Sequence, residues 1–311
     1  MTTPSDIFDS RPLILGSRAS ALALAQADIV RDRLAPLATD ILSLTTRGDR
    51  ILDRSLADAG GKGLFVKELE RQLLDGNCDA AVHSMKDMET VFADGTAIAA
   101  VLPREDRRDA LIGPFGTIDS LPTGAVVGTA SVRRRALLHH HRPDLRIELL
   151  RGNVNTRLAA LAAGRYDAII LAMAGLRRLA LDVPHTPLDP VVMPPAAAQG
   201  ALAIQIRGGD DDRARAVAAA IAGLNCARAE AEVTAERAML AHLDGSCHTP
   251  IAASATFDDN GALHLDGMVL RPDGTAAHRA TGAAPPENAA ALGRQLGARL
   301  LEAAGGRDFL A

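Results

Sequence analysis

Leu73-Leu74-Asp75-Gly76-Asn77-Cys78-Asp79-Ala80-Ala81-Val82 and Leu161-Ala162-Ala163-Gly164-Arg165-Tyr166-Asp167-Ala168-Ile169-Ile170 follow one pattern. Each closes a helical stretch on a glycine, the residue that best tolerates a helix C-cap's left-handed backbone. Each then enters an apolar run through Asp-Ala, and each is preceded by an Arg-Gly loop, Arg47-Gly48 and Arg151-Gly152. A helix feeding a short buried strand is the repeating unit of an α/β sheet. Two similar lobes facing one another across a cleft explain the echo; so does the general likeness of α/β units.

Outward from these segments, Leu13–Gly16 predicts a strand and Ser20–Leu34 an amphipathic helix capped by Ser20. Asp40–Thr46 alternates as a strand, and Leu64–Leu74 is helical up to Gly76. Strands follow at Asp79–His83, Ala97–Leu102, Ala125–Thr129, Arg146–Leu150 and Asp167–Leu171, with helices at Ser131–His141 and Val154–Ala163. The alternation predicts α/β architecture with largely parallel sheets. After Pro194-Pro195, the strand Ala201–Arg207 returns to the first lobe, and Asp210–Leu224 and Ala227–Leu243 are helical. Strands at Ile251–Phe257 and Ala262–Leu270 and a helix near Glu287–Ala303 complete a small α+β module. The expected division is residues 1–106 with 201–224 as lobe 1, 107–200 as lobe 2, and 225–311 as the C-terminal domain.

Composition narrows the function. At 311 residues and 32.5 kDa, two or three domains are expected. Trp is absent and Tyr166 is the single tyrosine, so no base-stacking platform can form, and a net charge of −4 also argues against nucleic acid. Met1 to Arg11 carries acids without an apolar core, unlike a signal peptide. No window approaches a charge-free membrane span. Cys78, Cys226 and Cys247 are spaced for neither a disulfide framework nor a zinc site. The chain reads as cytoplasmic.

Of 34 Lys and Arg residues only Lys62, Lys67 and Lys86 are lysine, and all three fall between residues 62 and 86. A lysine kept in an arginine-rich chain suggests a compact point charge rather than a planar fork. Lys67 sits among Glu68, Glu70 and Arg71, as on a solvated helix face. Lys62, in Gly60-Gly61-Lys62-Gly63, lacks the GxxxxGK[ST] of a phosphate loop and reads as a cation on a Gly-rich flap. Arg18, the run Arg133-Arg134-Arg135, Arg151, Arg157 and Arg177-Arg178 lie near the carboxyl ends of expected strands, where open α/β sheets bind ligands. Ser20, Thr129 and Ser131 add hydroxyls beside helix N-termini. Together they suit a ligand with several carboxylates or phosphates; singly, each could be a solvated surface arginine.

Asp87, after Lys86 and four residues past His83, is placed to steady a developing cation or move a proton, or to cap a helix. His83 reads as a core histidine, and His139-His140-His141 as a helix face without metal partners. Cys247 lies in a short helix-to-strand loop, Gly245-Ser246-Cys247-His248-Thr249-Pro250, a setting that can expose a thiolate. A non-catalytic anion binder on the same scaffold accounts for the arginines but not for Cys247 or Asp87; a phosphate-handling transferase lacks its loop.

Arg18-x-Ser20-x-Leu22-Ala23, Thr46-Arg47-Gly48-Asp49, Gly60-Gly61-Lys62-Gly63-Leu64-Phe65-Val66-Lys67-Glu68-Leu69-Glu70 and His83-Ser84-Met85-Lys86-Asp87 resemble the porphobilinogen deaminase (hydroxymethylbilane synthase) family. So do Arg104-Glu105-Asp106, Gly128-Thr129-x-Ser131-x-Arg133-Arg134, Leu150-Arg151-Gly152-Asn153-Val154-x-Thr156-Arg157-Leu158 and Gly245-x-Cys247-x-x-Pro250-Ile251.

The resemblance implies two lobes like those of periplasmic binding proteins around a cleft, and a small C-terminal α+β domain. It implies a dipyrromethane cofactor tied to Cys247 by a thioether. Four porphobilinogen units then add head to tail, each losing ammonia, before the linear tetrapyrrole is hydrolysed free. On this likeness Asp87 is catalytic. Lys86, Ser84, Thr129, Ser131, Arg133, Arg134 and Arg157 join Cys247 in holding the cofactor. Arg18, Ser20, Lys62, Arg151, Arg178 and Gln199 take the substrate. The likeness further implies a monomer that passes its product to the next tetrapyrrole enzyme. Six rings, each with an acetate and a propionate, bring about twelve carboxylates to the forks. Asp58, Glu89 and Ala198 depart from the pattern, where lysine, proline and glycine are usual.

Overall fold

The computed structural model describes residues 7–8, 10–46, 63, 66–246 and 248–310. Strands β1 (Leu13–Arg18), β2 (Thr39–Leu44), β3 (Ala80–Ser84) and β4 (Thr96–Val101) share one five-stranded sheet with the late strand β10 (Leu202–Arg207), in the order β2-β1-β3-β10-β4. β1 runs parallel to β2 and β3, and β10 is antiparallel to both its neighbours. Helix α1 (Ala21–Leu34) leaves β1 through Ser20, whose hydroxyl accepts the Ala23 N–H at 3.3 Å. Helix α2 (Lys67–Leu74) ends at Gly76, φ +73°.

The second sheet repeats the first. Strands β5 (Asp109–Ile112), β6 (Val126–Gly128), β7 (Arg146–Glu148), β8 (Ala168–Ala172) and β9 (His185–Pro187) form the order β7-β6-β8-β5-β9, with β5 antiparallel to β8. Helices α3 (Val132–His141) and α4 (Val154–Ala162) connect the parallel strands, and Gly164, φ +69°, closes α4 as Gly76 closes α2. In each sheet one antiparallel strand is supplied across the junction between lobes: β5 just after the first crossing, β10 just after the second. The echo in the sequence is therefore a likeness of topology, not only of α/β units.

A third sheet, β11 (Ile251–Phe257), β12 (Leu263–Leu270) and β13 (Ala277–Ala284), is antiparallel and packs on the long helices α7 (Ala227–His242) and α8 (Ala289–Ala303). Short helix α5 (Met173–Arg178) follows β8, and α6 (Asp212–Ala222) follows β10. No helix of the described residues is long and apolar enough to cross a membrane.

Four elements escape the pattern reading. β13, Ala-His-Arg-Ala-Thr-Gly-Ala-Ala, is an edge strand poor in β-branched residues, formed because all eight of its residues register with β12. β5, β9 and α5 are too short for their periodicity to register; β5 also begins on a carboxylate inside the charged run Arg107-Arg108-Asp109.

The two interlobe segments run side by side. Glu105 donates its N–H to the Gly200 carbonyl at 3.2 Å, and Arg104 Nε donates to the Gln199 carbonyl at 2.8 Å. A Cβ on Gly200 (φ +90°) would sit 2.4 Å from the Glu105 oxygen, so only glycine allows this approach. Ala198 adopts φ +59°, a left-handed conformation that costs an alanine about 1 kcal/mol.

Candidate active site

β3 runs into a single 3-10 turn, Met85–Asp87, closed by the Met88 N–H on the Met85 carbonyl at 3.2 Å. The turn brings Asp87 into a small cavity with Arg18, Ser20, Gln26, His83 and Ser84, at the carboxyl ends of β1 and β3 and the start of α1. Ser84 Oγ lies 2.8 Å from Gln26 Nε2, which donates to it, so a residue the sequence did not single out fixes that hydroxyl. Burial pushes His83 down to about 4, leaving it neutral near pH 7, as befits a core histidine.

The opposing wall is the start of α3. Thr129 Oγ1 accepts the Ser131 N–H at 3.1 Å, and Ser131 Oγ caps the helix by accepting the Arg134 N–H at 3.4 Å. Both hydroxyls thus organise the turn from which the arginines project. Arg133 and Arg134 turn inward and are almost fully buried, whereas Arg135 faces solvent. Each inward guanidinium takes one oxygen of Asp109: Arg133 Nη2 donates to Oδ2 and Arg134 Nη2 to Oδ1, both at 2.7 Å. Arg133 Nη1 also donates to the Pro194 carbonyl (2.5 Å), and Arg134 Nη1 to that of Ile170 (2.8 Å). Their Nε–H groups are buried and, among the described residues, have no partner. Asp109, 0% exposed, is the main residue that sequence reasoning missed. Burial opposes its charge, but the two guanidiniums outweigh burial and hold the carboxyl well below the usual range.

Gln199 joins the two walls. Its Nε2 donates to Asp109 Oδ1 and to the Arg107 carbonyl, both at 2.8 Å, and its Oε1 accepts from Lys86 Nζ at 3.2 Å. Burial brings Lys86 down to about 8; Arg134 and Arg133 push the same way, and Asp87 and Asp109 resist. Arg157 donates Nε to the Gly152 carbonyl at 2.9 Å, and burial, with Arg134 and Arg151 as like-charged neighbours, lowers it to about 10. Asp87 is the carboxylate that opposes this, so Arg157 lies within the fields of Arg134, Arg151 and Asp87. Arg178 Nη2 donates to the Gly200 carbonyl at 2.6 Å, on the second interlobe segment.

Two arginines of the expected cluster lie elsewhere: Arg177, half exposed, bridges Glu105 (2.8 Å) and Asp106 (3.1 Å), and Arg135 is a surface residue. Lys67 is exposed, as a solvated helix position should be. Lys62, Cys247, Asp58 and the Arg47-Gly48-Asp49 loop lie outside the described residues. Glu89 accepts the Gly63 N–H at 2.8 Å, and Arg237 donates to the Met88 and Glu89 carbonyls.

Fold and site define a two-lobed protein that sets buried cationic forks against one carboxylate. Residues 13–216 match the family description "Porphobilinogen deaminase, dipyromethane cofactor binding domain", and residues 230–302 match "Porphobilinogen deaminase, C-terminal domain". The porphobilinogen deaminase of Nitrobacter hamburgensis is 47% identical over 95% of this chain and 94% of that one. That of Chromobacterium violaceum is 47% identical over 96% and 97%. Among solved structures, the ligand-binding component of an ABC-type import system from Staphylococcus aureus aligns with 73% of this chain and 72% of that one, at 11% identity and a TM-score of 0.40. The chain belongs to the porphobilinogen deaminase family: a transferase of the hydroxymethylbilane synthase class, with porphobilinogen as substrate and a dipyrromethane cofactor.

Proposed function

We propose that the cleft between Asp87 and the start of α3 is where porphobilinogen units are joined head to tail. The buried Nε–H groups of Arg133 and Arg134, which have no partner among the described residues, carry this reading. A buried donor without an acceptor is costly, and two side by side fit the carboxylates of a bound oligopyrrole. With Arg157, Lys86, Ser84, Thr129 and Ser131 they would hold the dipyrromethane, and Cys247 would tether it. When bound, that group supplies the nucleophilic pyrrole carbon that primes growth.

Arg18, Ser20, Lys62, Arg151, Arg178 and Gln199 would receive the incoming porphobilinogen. Asp87 stabilises positive charge as it develops on the substrate's methylene carbon while ammonia departs. Its carboxylate raises the pKa of both Lys86 and Arg157 against their burial, so both cations lie within its field. Arg133, Arg134 and Gln199 present a buried polar wall to this reaction. Two lobes, 1–106 with 201–224 and 107–200, would then work with a cysteine-bearing domain, 225–311; the separate sheets support this division. We further read the protein as a cytoplasmic monomer whose product goes to the next tetrapyrrole enzyme.

Intact-protein mass spectrometry tests the reading. The purified protein should carry the mass of two linked pyrroles, and Cys247→Ser should lack it. A wild-type protein of unmodified mass and full activity would refute the tether.

A further inference from the structure

Between the catalytic turn and the arginine wall runs one unbroken set of hydrogen bonds: Lys86 to Gln199, Gln199 to Asp109, Asp109 to Arg133 and Arg134. Its members come from the 3-10 turn after β3, the second interlobe segment, the first residue of β5 and the first turn of α3. Asp109 has no exposed surface. A carboxylate so deep would be neutral or absent unless its partners needed it.

We propose that Asp109 is a positioning residue for the reaction: it fixes both arginine forks with their Nε–H groups turned free and, through Gln199, sets the ammonium of Lys86 beside Asp87. This rests on the cofactor-binding reading above. Without an anion between them, two adjacent guanidiniums would repel and part. With one anion shared, each donates a single Nη to Asp109 and retains its Nε–H for a ligand. The charge also reaches Lys86, whose surroundings are Asp87 on its own turn, Gln199, Asp109 on β5, and Arg133 and Arg134 on α3. Removing the Asp109 charge leaves two cations and one anion about that amine, so the neutral form gains.

The chain's three lysines make the test direct. Trace acetylation of the holoenzyme across pH, quantified by mass spectrometry at each lysine, reads the ionisation of Lys86, with a wild-type midpoint near the value of about 8. In Asp109→Asn the midpoint should fall, and turnover should drop about 10- to 100-fold, with bound-pyrrole intermediates accumulating. A purely structural Asp109 would alter yield and melting but not the Lys86 midpoint. If Asp109→Asn does not fold, Gln199→Leu cuts the link while leaving both arginine bonds to Asp109, and it should also lower the midpoint. A folded Asp109→Asn, or Gln199→Leu, with wild-type Lys86 ionisation and wild-type intermediates overturns the proposal. A wild-type protein without pyrrole mass would fail the cofactor reading alone, since the lysine titration still reports on Asp109.

Discussion

Replacing Glu236 by glutamine should unfasten the C-terminal domain, although the change removes only a charge and one acceptor. Glu236, on α7 and 0% exposed, accepts four donors, two on each oxygen. Oε1 takes Arg104 Nη1 and the Ala255 N–H, both at 2.7 Å; Oε2 takes Arg104 Nη2 (2.9 Å) and the Ala198 N–H (2.6 Å). One carboxylate thus ties the first interlobe segment, the second, and strand β11 to the same helix. Glutamine keeps one oxygen, and its NH2 faces two donors, whichever way the amide turns. Breaking a buried ion pair from one side costs about 3–5 kcal/mol, which here includes orphaning a backbone N–H. Urea unfolding followed by far-UV circular dichroism should show that loss, with melting lowered by about 10 °C. Removing the cation as well, in Glu236→Met with Arg104→Met, should cost less than the sum of the singles by about 2 kcal/mol or more. A Glu236→Gln protein within about 1 kcal/mol of wild type would refute the assignment. Purely additive singles would refute the pairing.

The remaining expectations concern turnover. Asp87→Ala should fold and retain the two-pyrrole mass, because the cationic forks do not depend on it, yet lose nearly all condensation; activity near wild type would remove Asp87 from its role. Arg157→Lys should stall elongation. A lysine lacks the Nε–H that anchors Arg157 on the Gly152 carbonyl and cannot bind a carboxylate through a fork. Unchanged kinetics without trapped intermediates would contradict this.

What the sequence makes legible is what acts locally. Ser20, Ser131, Asn153 and Asp211 each precede a helix and accept an N–H from its first turn, as their chemistry requires. Gly76 and Gly164 stop helices because a left-handed residue is needed there. The place of Asp87 at the cavity was legible too, since His83-Ser84-Met85-Lys86-Asp87 puts a cation and an acid where an apolar strand ends. Glu236 was not: in Ala-Glu-Val-Thr-Ala-Glu-Arg it looks like one more solvated helix charge, and only the packing of α7 under both interlobe segments buries it. Asp109 was hidden for the same reason, as its neighbours Arg107 and Arg108 suggest a surface loop. The partners that give it meaning lie about 24 and 90 residues away.

These missed acids show how the cleft can hold so many cations. Every inward arginine adds repulsion, and a folded core cannot supply water to screen it. The protein answers with buried carboxylates: Asp109 holds Arg133 and Arg134, while at the interlobe junction Glu236 and Glu232 hold Arg104 and Arg107. Such anions lower the cost of burying the cations, and Asp109 does so while leaving the Nε–H of both its arginines without a partner among the described residues. They also lie on the segments that join the lobes, Asp109 at the first residue after one crossing and Glu236 against both. Ion pairs of one kind therefore hold the arginine wall and fix the junction about which the lobes are set. A substitution there would disturb stability and ligand geometry together, which is why the Lys86 titration and the unfolding measurement need to be read on the same variants.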